Sequence, residues 1–342
     1  MLLFSVASLT PAALIALATL SGGGWAFALL AYMAVFVPLL DLLVARVTPP
    51  AEAEEFPAAN ALSVALALAH FAGLALAVWA LSGPMLTLAQ KAALFAGAGL
   101  WFGQVSNSNA HELIHRGNRL LHRLGVAVYV SLLFGHHASA HVLVHHVRVA
   151  TPEDPNSARL GEGFYRFALR AWMGSFREGL RAETARMVRA GRPLWRHPYG
   201  AYVGGAVVTF AAAFVLGGAG GILAMIGLAG YAQMQLLLSD YVQHYGLSRA
   251  MRPDGKPEPV ADRHSWNSPH WYSSSMMLNA PRHSDHHARP LRPYPALRLT
   301  DGPQLPRSLP VMATLALFPR RWRRVMDRRV AIQSPNSERP TG

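Results

Sequence analysis

The sequence contains no cysteine and has few charged residues. Without cysteine, the chain cannot form disulfides, thiolate zinc sites, iron–sulfur clusters or a cysteine nucleophile. Any metal that it binds must therefore take nitrogen or oxygen ligands. Charged residues make up only 14% of the 342 residues, whereas apolar residues make up 52%. That composition is typical of an integral membrane protein.

Six long apolar runs indicate membrane-spanning helices, since each is close to the roughly 20 residues that cross a bilayer. The runs form three pairs, and a short turn joins the two runs of each pair: "SGGG" at 21–24, "LSGP" at 81–84 and "GGAGG" at 217–221. The sequence therefore predicts an all-α integral membrane protein with about six transmembrane helices in three hairpins. The runs are residues 2–20, 25–44, 60–81, 86–107, 201–217 and 221–239.

The basic residues predict how the chain is oriented. Of 31 Lys and Arg, 13 lie in residues 108–200 and 16 in residues 241–342. Because positive charge favours the cytoplasmic side, we expect a multi-pass protein of a bacterial-type inner membrane with its active site facing the cytoplasm. The net charge of +13 is assigned to this placement and not to a nucleic-acid partner. The predicted regions are two transmembrane hairpins in 1–107, a cytoplasmic histidine-box region in 108–200, a third hairpin in 201–240, and a second histidine-box region with a basic tail in 241–342.

Two further segments are not expected to span the membrane. The stretch "LLHRLGVAVYVSLLFGHH" at 120–137 is short for a crossing and is predicted to be re-entrant or interfacial. "FPRRWRRVMDRR" at 318–329 predicts an amphipathic basic helix on an anionic leaflet, and a disordered "SPNSERPTG" follows it.

Sixteen histidines are present, and nine of them fall into four groups. The groups lie in "NAHELIHRGN", "ASAHVLVHHVRV", "SDYVQHYGL" and "RHSDHHARP". Histidines three or four positions apart share one helix face, which is a spacing suited to metal ligands. The predicted metal ligands are His111, His115, His141, His145, His146, His244, His283, His286 and His287.

Nine imidazoles exceed what one metal accepts, because zinc sites take four ligands and octahedral iron at most six. Two metal ions are therefore implied. Neutral imidazole suits iron, copper or zinc, and a site with few carboxylates would keep iron ferrous until O2 arrives. Groups expected to orient the rings are Glu112, Asp240, Gln243, Asp262 and Asp285.

The other histidines are given structural interpretations or stay open. His70, in the middle of an apolar run, is expected to be a hydrogen-bonded packing residue, and His122 and His197 are expected at the surface or interface. Histidines that stay open between packing and a role around the metals are His136, His137, His264 and His270.

"HELIH" at 111–115 also matches a zinc-protease pattern, in which two histidines hold zinc and the glutamate acts as base. A membrane zinc protease would need one more ligand and would leave six histidines unexplained. It stays as a remote alternative, together with a non-catalytic metal-binding membrane protein.

At these residues the sequence resembles the membrane alkane 1-monooxygenase (alkane ω-hydroxylase) family, within the membrane fatty acid desaturase and hydroxylase group. The resemblance covers roughly residues 100–290 and rests on "HELIH", "HHVRVATPEDPNSARLGEG", "YVQHYGL", "RHSW" and "RHSDHHA" in this order. It implies a non-haem di-iron enzyme that uses O2 and two electrons to hydroxylate a terminal carbon of an alkane or alkyl chain. The nine grouped histidines would be the iron ligands, and Asp240 and Glu112 are the predicted catalytic residues.

The sequence departs from the family pattern at four positions. Ala140 stands where the family usually has Glu, Val144 where it has Gly, and Asp240 and Gln243 where it has Asn and Glu. We hypothesise that Asp240, one turn before His244, takes over the charge or hydrogen-bonding role of the missing glutamate. No replacement is evident for the glutamate at position 140, so a divergent substrate is one interpretation.

The resemblance also implies partners. A chain without cysteine needs an external electron donor, and the family implies rubredoxin or ferredoxin with a nicotinamide-dependent reductase. A hydrophobic alkyl substrate would arrive from membrane lipid. The alternative activities are a fatty-acyl or lipid desaturase or hydroxylase, and an aromatic-methyl monooxygenase. The predicted docking residues for an acidic donor are Arg320, Arg321, Arg323 and Arg324.

Overall fold

The computed structural model describes residues 1–44 and 56–333, which contain helices and no β-strand. The predicted disordered stretch 334–342 lies outside the described residues. Three π-helical segments, Tyr32–Phe36, Phe102–Ser106 and His141–His145, interrupt the α-helices. The α-helices are α1 Leu2–Ser21, α2 Trp25–Ala31, α3 Val37–Leu43, α4 Phe56–Ser82, α5 Leu88–Trp101, α6 Asn107–Ile114, α7 Arg119–Ser131, α8 His137–Ala140, α9 His146–Arg148, α10 Phe164–Arg189, α11 Pro198–His244, α12 Trp271–Met276, α13 His283–Ala288, α14 Leu309–Ala316 and α15 Pro319–Gln333.

Four helices of the described chain are long and apolar enough to cross a membrane: Leu2–Ser21, Trp25–Leu43, Pro57–Ser82 and Pro198–His244. The last of these reverses direction. Its backbone leaves the helical region at Gly217 and Gly218. A Cβ on Gly221 would collide with the carbonyl oxygen of Ala213, eight residues earlier, whereas eight residues of a straight helix span about 12 Å. The glycine-rich stretch thus forms a hairpin turn, as predicted.

The predicted run 86–107 belongs to a longer helical stretch, which continues without a break from residue 88 to residue 114. Thr87 begins it with a capping box: the Thr87 side chain accepts from the Gln90 backbone, and the Gln90 side chain accepts from the Thr87 N–H at 2.9 Å. The stretch carries the first histidine pair at its far end. The total of six spans stays a prediction.

The three hairpin turns lie at one end of the bundle. Gln90 Nε2 donates to the Gly23 carbonyl at 3.0 Å, and Ser82 lies against Gly217 and Gly220. His111 follows its turn by more than twenty residues, which is about 35 Å of helix at 1.5 Å per residue. The predicted ligands are therefore separated from the turns by roughly the thickness of a bilayer core.

Helix α7 does not carry the chain across the bundle. It begins at Asn118, whose side chain accepts from the N–H groups of Leu120 and Leu121, and it packs against α6 through Gly125. Its 13 residues are about 20 Å long, too short to cross a bilayer. The histidines before and after α7 lie together, in agreement with the predicted re-entrant or interfacial segment.

Helix α15 covers the predicted basic tail, but its apolar side faces the protein. Trp322, Met326 and Val330 are buried, and the Trp322 ring lies 5.2 Å from the Tyr241 ring and 5.3 Å from the Tyr245 ring. This corrects the expectation of a helix whose apolar side lies in a lipid leaflet. The four arginines at 320, 321, 323 and 324 are exposed.

Candidate metal centre

All nine predicted ligands come together in two groups of histidines. Within each group, one ligand atom from every residue lies within 4.8 Å of the others. Neither group contains a carboxylate among the described residues. The first group is His111, His115, His141, His146 and His286, and the second is His145, His244, His283 and His287.

The first group is supplied by three separate segments. Helix α6 contributes His111, the segment after α8 contributes His141 and His146, and α13 contributes His286. The Nε2 atom of His141 lies 2.8 Å from that of His111 and 2.9 Å from that of His146. His286 Nε2 lies 3.1 Å from His146 Nε2. His115, directly after α6, completes the group, its ring 4.7 Å from that of His146.

The second group is supplied by the end of α11, by α13 and by His145. His283 Nε2 lies 3.0 Å from His244 Nε2 and 3.1 Å from His287 Nε2. The ring of His145 lies 4.8 Å from that of His244. Because the His141–His146 segment and α13 each contribute to both groups, the two groups are neighbours and not independent sites.

A π-helical segment determines how the middle histidines divide. In a π-helix the hydrogen bond joins residues i and i+5. His141 and His146, five apart on the segment His141–His145 and its continuation, therefore meet in the first group, while His145 turns to the second. The sequence predicted all three as ligands but did not assign them to particular metals.

The residues present fit metal ions. Imidazole nitrogens bound side by side at about 2.1 Å from one ion lie about 3 Å apart, and the nearest Nε2 pairs are separated by 2.8 to 3.1 Å. Within the described part of the chain, the buried Nε2 atoms of His115 and His145 have no hydrogen-bond partner. One ion bound in each group would satisfy both atoms.

Most ligand imidazoles are held neutral, which is the form that binds metal. Burial, followed by repulsion from neighbouring imidazoles, lowers the pKa of His115 to about 4. The same causes, with burial the largest, hold the pKa values of a further set well below the usual 6.5: His111, His141, His146, His283, His286 and His287.

Asp154 is a buried partner of the second group that the sequence reasoning missed. Its Oδ2 atom lies 2.8 Å from His145 Nδ1 and accepts from Ser157 Oγ at 2.7 Å. Although burial opposes charge, this carboxylate raises the pKa of His145 above its usual value. A carboxylate on Nδ1 orients the ring and leaves Nε2 for a metal. Asp154 lies within the motif "HHVRVATPEDPNSARLGEG" at 145–163, and that motif is the signal by which it could have been found.

Asp285 holds α13 in place through arginines and not through a histidine ring. Its carboxylate contacts Arg289 and Arg292, each at 2.7 Å, and accepts from the Arg298 N–H at 2.9 Å. Asp262 acts through its backbone carbonyl, which accepts from Ser284 Oγ at 2.7 Å. Both predicted orienting residues therefore fix the helix that carries three ligands.

A cavity adjoins both groups, and Asp240 and Gln243 lie in its wall beside His111, His141 and His283. Asp240 Oδ2 accepts from Asn156 Nδ2 at 2.7 Å. Gln243 accepts from Ser239 Oγ at 2.7 Å. Asp240 thus has a defined hydrogen-bond partner and lies in the cavity wall, while its predicted role in place of the glutamate stays a prediction.

Glu112 lies elsewhere. Its Oε1 atom forms an ion pair with Arg116 at 2.7 Å and accepts from the Tyr294 N–H at 3.2 Å. It is not part of the cavity wall. These contacts join α6 to the loop after α13, while the catalytic assignment of Glu112 stays a prediction.

Position 140, where a glutamate was missing, faces α10. A Cβ on Gly179 would lie 3.1 Å from the Ala140 Cβ, so the two helices are in close contact there. Beside it, Ser139 Oγ donates to the buried Glu183 Oε1 at 2.7 Å. A carboxylate is therefore present beside the second histidine box, the segment "ASAHVLVHHVRV" at 138–149, and it is supplied by a helix that the sequence analysis did not identify.

The seven remaining histidines lie outside both groups. His70 Nε2 pairs with Ser131 Oγ at 2.8 Å in the core, as expected of a packing residue. His197 accepts from the Tyr199 N–H at the start of α11. Of the four that stayed open, His137 reaches the cavity wall, and the others bond to Ser175, Glu258 and Ser268.

Comparison with known proteins shows similarity over most of the chain. A family model described as Fatty acid desaturase matches residues 87–315. Alkane 1-monooxygenase from Acinetobacter baylyi is 36% identical over 66% of this chain, and the match spans 56% of that protein. Alkane 1-monooxygenase 1 from Pseudomonas aeruginosa is 33% identical, over 92% of this chain and 88% of its own length. The hydroxylase component of a xylene/toluene monooxygenase from Pseudomonas putida is 27% identical over 62% of this chain.

Proposed function

Because the chain belongs to the fatty acid desaturase family and, within it, to the alkane 1-monooxygenases, we propose that it hydroxylates the terminal carbon of an alkane or alkyl chain. The observation that carries this proposal is the two groups of histidines beside one cavity. Enzymes of this kind are oxygen-dependent oxidoreductases.

We propose iron as the metal in both groups. A group of neutral imidazoles suits ferrous iron. Because neither group contains a carboxylate among the described residues, the ligands would not balance the positive charge of the ion. Two bound irons would supply O2 activation. The reaction inserts one oxygen atom into a terminal C–H bond, and two electrons and two protons reduce the other to water. The chain's own residues orient the ligands, enclose the alkyl chain and keep bulk water from the cavity.

The positions of the site and of the turns support a proposed membrane arrangement. Six spans in three hairpins, with the regions 1–107, 108–200, 201–240 and 241–342 as predicted, would place the histidines on the cytoplasmic side of an inner membrane. The exposed apolar side chains of α1 and α11, such as Val6, Val207 and Val215, support contact with lipid. An alkyl substrate dissolved in the bilayer could then enter the bundle laterally.

Asp240→Asn is expected to keep both metals and to lower turnover about tenfold, since a single charge beside a metal site commonly has an effect of this size. Asparagine can still accept from Asn156, so the fold is retained while the negative charge is lost. Metal content and turnover are measured together, with Asp254→Asn on an exposed loop as control. Unchanged turnover in Asp240→Asn would remove this residue from the mechanism.

An acidic rubredoxin or ferredoxin, reduced by a nicotinamide-dependent reductase, is the proposed electron donor. The arginines at the start of α15 offer it a positive surface. We expect donor-driven turnover to fall about tenfold between low and high ionic strength, because screening weakens steering by surface charges. A variant with Arg320, Arg321, Arg323 and Arg324 changed to Gln should lose this salt dependence but keep dithionite-driven turnover. Equal salt slopes for the variant and the wild type would rule out docking at α15.

The function is tested by incubating the purified protein with donor, reductase, an alkane and 18O2. A 1-alkanol carrying one 18O atom, with about two irons per chain, is the expected result. An alkene without 18O would identify a desaturase, and benzylic products from methylarenes alone would favour the aromatic-methyl activity. About one zinc per chain, with no O2 uptake after ferrous reconstitution, would contradict the proposal and favour the hydrolase.

A further inference from the structure

The wall of the cavity carries a buried amide with no partner. Gln104, in the π-helical segment between α5 and α6, is 7% exposed and lines the cavity. Within the described residues, its Oε1 atom makes no hydrogen bond. Leaving a buried polar group unpaired is costly, so such groups are normally satisfied.

The neighbouring amide of Asn107, in contrast, is bonded within the protein. Asn107, less than one turn later, donates from Nδ2 to the carbonyls of Gly103 at 3.1 Å and Ala232 at 2.8 Å. Its bonds join the helix to α11. Gln104 makes no corresponding bond, which leaves its donor and acceptor groups for a molecule in the cavity.

Gln104 and the metal ligands lie at different points along the cavity. Gln104 precedes His111 by seven residues on continuous helix, which places the two about 10 Å apart along the axis. Ser108, between them, lines the same wall. An alkyl chain that reaches from the Gln104 amide to the two histidine groups would thus be of medium length.

The opposite walls provide a second amide and an apolar surface. Gln235 of α11 packs directly over Gly103, where an added Cβ would collide with the Gln235 side chain. Leu309, Pro310 and Ala313 of α14 line the remaining wall. The cavity therefore combines an alkyl-binding surface with hydrogen-bonding groups at a distance from the metals.

The charges in the cavity wall limit which polar group a bound molecule can carry. Of the described residues, no Lys or Arg lines this cavity, whereas the Asp240 carboxylate does. An ionised carboxylate on a bound molecule would therefore lack a cation and be repelled by Asp240, so it is strongly disfavoured. A side-chain amide matches an uncharged group that both donates and accepts, or accepts only. A hydroxyl or a carbonyl oxygen meets this requirement.

We propose that the substrate is an uncharged medium-length alkyl chain with a hydroxyl or carbonyl oxygen at one end, held by Gln104, while the opposite methyl reaches the metal groups. This inference rests on the proposed hydroxylase function. For octan-1-ol, the methyl C–H bond is converted to C–O–H by one atom of O2. Two electrons and two protons from the external donor reduce the other atom to water, and octane-1,8-diol leaves.

The test compares octan-1-ol with octane in the full-length protein in lipid nanodiscs. We expect kcat/KM to favour octan-1-ol by about tenfold, the effect of one satisfied buried amide. Gln104→Met, which keeps the length of the side chain but not its hydrogen bonds, should bring this ratio close to one. Gln233→Met, on α11 and outside the cavity wall, should leave the ratio unchanged.

Binding without turnover gives a second readout. In the absence of reductant, octan-1-ol should raise the melting temperature of the wild-type protein more than octane does, and Gln104→Met should lose the difference. A wild-type kcat/KM for octan-1-ol no higher than that for octane, or a ratio of the two that Gln104→Met does not change, overturns this inference while hydroxylation still stands. Failure of the wild type to oxidise either compound overturns the proposed function itself.

Discussion

His146→Ala should lower hydroxylation by more than about 100-fold and reduce the metal content from about two ions per chain towards one. Its Nε2 atom lies 2.9 Å from that of His141 and 3.1 Å from that of His286, so it occupies the middle of the first group. Changes to groups that merely orient a ligand already cost about 10- to 100-fold. Loss of a ligand itself should cost more.

Metal content and O2-dependent product formation are measured on the same preparation. His197→Asn is the matched control, since it removes an imidazole outside both groups, and asparagine can still cap the start of α11. The control should keep both metals and full activity. Two tightly bound metals and normal turnover in His146→Ala would contradict the assignment of the first group.

Asp154→Asn should weaken metal binding at the second group by about 10- to 100-fold. The carboxylate fixes the His145 ring through Nδ1, and an uncharged amide holds it less firmly and makes the imidazole a poorer donor. We expect the first group to keep its metal, because Asp154 contacts only His145 among the ligands. A chelator competition titration should therefore show one weakened site.

Glu153→Gln provides the control for this change. It removes the adjacent carboxylate, which is exposed, and should leave both sites unchanged. Equal chelator resistance of Asp154→Asn and wild type would show that Asp154 does not act through the metal ligand. A loss at both sites together would indicate that the two groups load as one unit.

Helical spacing accounts for seven of the nine grouped histidines, because residues three or four positions apart share a helix face. His146, beside His145, and His244, alone in its segment, do not follow that spacing. Helical spacing did not show which histidines share a group, because the assignment of His141, His145 and His146 depends on local π-helical geometry. The hairpin turns followed from glycine-rich breaks between apolar runs.

Long-range contacts could not be predicted in the same way. Asp154 pairs with a histidine nine positions earlier across a loop, and Glu183 reaches the second box from α10, a helix rich in arginine that has no apolar run. The apolar side of α15 is likewise covered by tyrosines of α11 and of the turn that follows it. Each of these contacts depends on how separate segments pack, which spacing along one segment does not encode.

The π-helical segment makes the register of the second box sensitive to a single residue. On a regular α-helix with about 3.6 residues per turn, positions four apart share a face, and positions five apart diverge by more than a third of a turn. Deleting Leu143 would restore α-helical phase, so that His141 lies four positions before His146 and three positions before His145. His145 and His146 would then compete for a place in the first group, and the second group would be left with three histidines. The length of this segment, as much as its composition, thus determines how the histidines divide between the two groups.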